Sequence, residues 1–213
     1  MSQKRKLVAI LSADVVEYSR LMGADEQSTI TTLTAYREVF SRHIESYSGR
    51  VVDATGDALL AEFGSAIEAV KCAADIQEEL GGRNSELREE RRMQFRIGVN
   101  VGDVAERDGA LFGDGVNIAA RLEALASPGG VCVSGTVFDQ VDGKLPFVFK
   151  FGGNKTVKNI AQPVRAYFVE LGTEANRHTR SRFRFGRPRR LPQLVAIALI
   201  WTVLLLIAYF GKE

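Results

Sequence analysis

Two aspartates carry the first chemical reading of this 213-residue chain. Asp14 closes the apolar run Leu7-Val8-Ala9-Ile10-Leu11-Ser12-Ala13. Asp57 sits in the tight turn Asp53-Ala54-Thr55-Gly56-Asp57-Ala58-Leu59-Leu60. If the two runs are neighbouring antiparallel strands, both carboxylates arrive at one end of a sheet. Like charges that close repel, and a divalent cation is the usual reason for a fold to tolerate them. The chemistry expected of such a pair is phosphoryl transfer on a nucleotide. The plain alternative is one solvated turn carboxylate and one helix cap.

The elements that would position the pair can be read from periodicity. Lys6 to Ala13 reads as a buried strand. Asp25 to Ser48 has helical apolar spacing through Ile30, Leu33, Tyr36, Phe40, Ile44 and Tyr47, with Gly49 to stop it. Two short runs, 50–55 and 58–63, joined through Gly56 give a hairpin signal. Ser65 is placed to cap a helix over 66–80, and the polar stretch 81–92 reads as an exposed connection. A strand over 95–101, a turn and short strand over 103–112, a helix over 114–125, a strand over 131–133, a short helix over 135–141 and late strands over 147–151 and 164–171 follow. The opening order β-α-β-β-α-β predicts an α+β, ferredoxin-like sandwich. In that topology the third strand runs antiparallel beside the first, so Asp57 falls next to Asp14.

Composition adds a second region. The net charge of +2 divides unevenly: residues 1–176 hold 20 Lys/Arg against 25 Asp/Glu, and residues 177–213 hold 8 Lys/Arg against one Glu. The positive charge belongs to the tail and does not argue for a nucleic-acid-binding domain; no nucleic-acid partner is expected. Leu191 to Phe210 carries no charged residue, and at ~1.5 Å rise per residue that run spans about 30 Å, enough for a hydrocarbon core. Arg177, Arg180, Arg182, Arg184, Arg187, Arg189 and Arg190 precede it, as expected on a cytoplasmic flank. The expectation is a single-pass transmembrane helix over 191–210 and an Arg-rich juxtamembrane linker over 172–190. The domain over 1–171 would then face the cytoplasm from the inner or cell membrane. A buried core helix is the alternative. The run after the basic Met1 to Lys6 breaks at Asp14, so no secretory leader is expected. Cys72 and Cys132 sit among apolar neighbours and read as buried thiols rather than a disulfide.

Three segments together resemble a known family. Ser12-Ala13-Asp14-Val15-Val16-Glu17-Tyr18-Ser19, then Gly56-Asp57, then Gly113-Asp114-Gly115-Val116-Asn117-Ile118-Ala119-Ala120-Arg121-Leu122 are similar to the core signatures of class III adenylate/guanylate cyclases. The likeness runs from about Lys4 to Leu171. It implies an enzyme that turns a nucleoside triphosphate, ATP by family default, into a 3′,5′-cyclic nucleotide and pyrophosphate. It implies that Asp14, Asp57 and the Val15 carbonyl hold two Mg²⁺ or Mn²⁺ ions. Amides of Val16, Glu17 and Tyr18 would contact phosphates at a helix start. Asn117 would orient the ribose, and Arg121, four residues on and so on the same helix face, would stabilise phosphate charge. Lys158 matches a triphosphate-binding lysine. The family site spans two subunits, implying a homodimer with metal aspartates from one chain and the Asn/Arg helix from the other. The bland alternative for Arg121 is a surface ion pair with Glu123 or Asp114.

The chain departs from the family where the base is read. Adenine-reading members place a lysine where Asp53 stands and an Asp or Thr where Ala110 stands. An ionised Asp53 can only accept hydrogen bonds, and Ala110 offers none. A guanylate or pyrimidine (cUMP/cCMP) cyclase is therefore an open alternative, as is a catalytically inactive dimerisation or nucleotide-binding module. A diguanylate-type palm enzyme shares the two-metal sheet but has no use for the Val-Asn-x-Ala-x-Arg segment, and its G-G-[DE]-E-F signature is absent from the sequence.

Overall fold

A computed structural model describes residues 4–156 and 163–172. Lys158 and the apolar run 191–210 lie outside the described residues, as does nearly all of the Arg-rich linker. Among the described residues no helix is long and apolar enough to cross a membrane.

The elements run β1 (Lys4–Val15), α1 (Tyr18–Ala24), α2 (Glu26–Ser46), β2 (Arg50–Asp53), β3 (Leu59–Phe63), α3 (Ala66–Ser85), a 3₁₀ turn (Glu89–Arg91), β4 (Phe95–Arg107), β5 (Ala110–Phe112), α4 (Asp114–Leu125), β6 (Val131–Ser134), α5 (Gly135–Val141), β7 (Val148–Lys155) and β8 (Val164–Glu170). One sheet holds every strand among the described residues, in the order β2-β3-β1-β4-β6-β8-β7, with β5 paired to β4. Its first four strands are the expected ferredoxin-like arrangement, β1 lying antiparallel between β3 and β4. The β4–β6 pair is parallel, so the sheet is mixed and larger than the sequence pattern alone predicts.

Alternation decides what each face does. Ala9, Leu11, Ala13 and Val15 of β1 and Phe95, Ile97 and Val99 of β4 point into the main core with α2, α3 and α5. The opposite residues, Ile10 of β1 and Val104 of β4, pack with Ala119 of α4 in a smaller cluster. Thus α2 and α3 cover one face of the sheet, while α4 covers the reverse face. Glycines permit this: a Cβ on Gly98 would stand 2.2 Å from Ala119 O, and one on Gly102 would stand 2.9 Å from Gly115 Cα. The buried Asn100 ties α4 down by donating from Nδ2 to Gly115 O at 3.0 Å.

Several local expectations shift. Residues 18–24 form α1, which has little apolar periodicity to announce it. Asp25 caps α2, accepting from Ser28 N–H at 3.0 Å. Ser65 occupies the N-cap position of α3 but makes no side-chain capping bond. The stretch 81–92 is not a plain exposed loop, because α3 continues to Ser85 and Asn84 is buried. Both cysteines are buried and free.

Candidate active site

The β1–β4 register places Asp14 opposite Arg96 and Ser12 opposite Gly98, all on the α4 side of the sheet. The β2–β3 turn delivers Asp57 to the same sheet end, because β3 starts at Leu59 against Ala13. Gly56 takes a left-handed φ of 62° there, which glycine adopts at no steric cost. The Arg37 guanidinium donates to Gly56 O and pins the turn from α2.

The two aspartates therefore meet. Burial pushes the Asp14 carboxyl above its ordinary range, and the directly interacting Asp57 pushes it further, against the pull of Arg96. Arg96 Nη2 donates to Asp14 Oδ2 at 2.9 Å. Glu123 of α4 completes the cluster: it accepts from Ser12 Oγ at 3.2 Å, and its Oε1 lies 3.8 Å from Arg96 Nη2. Its carboxyl is pushed up to about 7, first by burial and then by the Asp14 charge. Two carboxylates are hard oxygen donors. No group of three or more His, Cys, Asp or Glu among the described residues is arranged to hold a metal unaided. That donor set suits Mg²⁺ or Mn²⁺, which characteristically takes one or two carboxylates and completes its shell with phosphate and water.

Residues 1–171 match the family model described as the adenylate and guanylate cyclase catalytic domain. The chain belongs to that family. "Putative adenylate cyclase 3" of Rhizobium meliloti (strain 1021) is 48% identical over 167 residues, covering 78% of this chain but 28% of that protein. The chain thus spans little more than a quarter of that curated relative. The crystal structure of an adenylate/guanylate cyclase/hydrolase from Silicibacter pomeroyi is 39% identical with a TM-score of 0.76, covering 81% of this chain and all of that one. The adenylyl cyclase CyaB from P. aeruginosa superposes with a TM-score of 0.71 at 19% identity, over 82% of this chain and 99% of that one, a likeness of fold.

The other expected site residues of this cyclase domain fall as follows. Val15 has its side chain in the core. Val16 N–H is engaged by Gln94 O at 2.9 Å, so this amide serves the sheet. Glu17 stands at the start of α1 with a left-handed φ of 53°, a strained position for a residue with a side chain. Asp53 is exposed and accepts from Thr55 Oγ1 at 2.7 Å. Ala110 begins β5, which pairs with β4; the Arg50 side chain of β2 reaches over to donate from Nη1 to Gly109 O at 3.2 Å. Asn117 and Arg121 are exposed, whereas Gly115, Ala119, Leu122 and Glu123 form the buried side of α4. Within one chain they are not part of the Asp14 cluster.

Sequence reasoning missed Arg96, Ser12 and Glu123 as site residues. Signals existed for two of them. Arg96 interrupts the run Phe95 to Val101 at the parity opposite to its buried apolar residues. Glu123 continues the four-residue stripe Gly115, Ala119, so it faces the sheet. It is a buried neighbour of Ser12 and Arg96, not the surface partner considered for Arg121.

Proposed function

We propose that this chain is a nucleotidyl cyclase working as a homodimer. The 3′-hydroxyl of a nucleoside triphosphate attacks its own α-phosphorus, the bond to the bridging oxygen breaks, and pyrophosphate leaves with a 3′,5′-cyclic monophosphate as product. The observation that carries this reading is the Asp14–Asp57 pair, brought together on one sheet end and partly neutralised by Arg96. Asp14, Asp57 and the Val15 carbonyl would hold the Mg²⁺ or Mn²⁺ ions. Those ions, when bound, would acidify the 3′-hydroxyl and neutralise triphosphate charge. The amides of Glu17 and Tyr18 would meet the phosphates. Asn117 would orient the ribose and Arg121 would stabilise the transferring phosphoryl, both from the second copy, because their exposed side of α4 leaves them free to reach across. Lys158 would contact the triphosphate.

ATP is the family default. Asp53 and Ala110 favour a second reading, in which the base presents N–H groups to an acceptor, as guanine or uracil does. The uncharged run 191–210 and its arginine flank support anchorage in the cell membrane with the cyclase domain cytoplasmic. Incubation of the purified full chain with Mn²⁺ and each of the four ribonucleoside triphosphates tests both activity and base. One cyclic product, abolished by Asp14→Ala in a protein that stays folded, is expected. No cyclic product from any of the four at high protein concentration would remove the proposal.

A further inference from the structure

Arg96 holds one oxygen of the Asp14 carboxylate that a cation would use. Its Nη2 donates to Asp14 Oδ2 at 2.9 Å, while the same nitrogen stands 3.8 Å from Glu123 Oε1. Its Nε is buried and has no hydrogen-bond partner in this pose. We propose that Glu123 is a positioning residue that receives Arg96 from Asp14 when a divalent cation binds, so that cation binding and the guanidinium shift are one event. The inference rests on the metal-site reading of Asp14 and Asp57.

The geometry supplies each part. A divalent cation on Asp14 repels the guanidinium beside it, which favours a shift of Arg96 toward Glu123. Glu123 is an acceptor within a short side-chain rotation, and a side-on guanidinium–carboxylate pair there would engage the orphaned Nε. Ser12 Oγ holds Glu123 Oε2 at 3.2 Å, which leaves Oε1 toward Arg96. Glu123 cannot retreat, because Gly98 lets the α4 backbone rest directly on β4. The three carboxylates near Arg96 thus keep one counter-charge in both states, first on Asp14 and then on Glu123.

The test is Mn²⁺ affinity of the full chain, read as free Mn²⁺ by electron paramagnetic resonance without nucleotide. Glu123→Gln should weaken Mn²⁺ binding by roughly tenfold, as expected for a residue one shell from a metal ligand. Glu123→Asp, which keeps the charge but shortens the reach, should weaken it similarly. Arg96→Gln should tighten binding, and adding Glu123→Gln to it should change nothing further. A charge effect without handover predicts otherwise: Glu123→Asp silent, and Glu123→Gln equally costly in both backgrounds. Either result overturns the inference. The wild type against Asp14→Ala is the control. If Asp14→Ala binds Mn²⁺ as well as the wild type, or neither binds, the metal-site reading falls and takes this inference with it. If that control holds and the double variant is additive, the handover alone falls. Metal-free melting of each variant verifies folding.

Discussion

Gly98 and Glu123 touch through their backbones: a Cβ on Gly98 would stand 2.3 Å from Glu123 N. The contact is what brings the buried stripe of α4 onto β4, and hence Glu123 over Ser12 and Arg96. An absent side chain on a strand thereby sets the electrostatics of a site built from three elements.

Gly98→Ala is expected to destabilise the protein by about 1–3 kcal/mol, the usual cost of forcing a methyl into a packed core. The atoms it would strike, Ala119 O and Glu123 N, are backbone and cannot rotate away. Urea unfolding measures the loss, and cyclase activity should fall with it. An unchanged midpoint would mean that α4 sits further from β4 than described.

Asn84 should be similarly intolerant. Its Nδ2 donates to Met93 O at 2.8 Å, and its Oδ1 accepts from Met93 N–H at 3.1 Å and from Tyr36 Oη at 3.0 Å. Asn84→Ala leaves these buried groups without partners, at about 1–3 kcal/mol for a stranded group. The expected signature in denaturant is a lower midpoint with an unchanged slope. An unchanged midpoint would contradict the network.

Asn84 also marks where the sequence was hardest to read. Helix positions were legible: α4 and α5 fall where the pattern places them, and β1 to β4 pair in the expected order. Local charge misled at 81–92, since polar residues there continue α3 and one is spent on tertiary hydrogen bonds that periodicity does not encode. The Asp14–Asp57 meeting was legible because it follows from strand order alone. Arg96 and Glu123 were not, because their roles depend on register across β1–β4 and on the face of the sheet that α4 covers. Spacing shows only which way each residue faces, Arg96 by its parity in β4 and Glu123 by the four-residue stripe of α4, and not what it meets there.

The raised Glu123 carboxyl makes a pH prediction for the metal-free protein. Its folded value is about 7, above the ordinary carboxylate range, with burial the first cause and Asp14 the second. Between about pH 4.5 and 7 the folded state therefore holds a proton that the unfolded chain has released. Stability from this group is full below that window and falls as pH rises through it, by at most about 1.4 kcal/mol per pH unit. Glu123→Gln should flatten the slope. Thermal melts across the window check this, and a wild-type profile no steeper than the variant's would refute it.

The last prediction concerns the division of the site between chains. Asp14 lies on the face of β1 that α4 covers, while Asn117 and Arg121 lie on the exposed side of that helix. On the proposed shared-site reading, a second copy supplies the Asn/Arg pair from this exposed side of α4. Asp14→Ala and Asn117→Ala chains should each be inactive alone. A one-to-one mixture should regain about a quarter of wild-type activity, because roughly half of randomly paired dimers are mixed and each mixed dimer holds one intact site of two. Absence of recovery, with mixed dimers demonstrated by differential tagging, would place both groups of residues in the same subunit's site and would require α4 to move. Recovery would fix the stoichiometry as well, since a site confined to one chain cannot be rebuilt from two chains that are each defective.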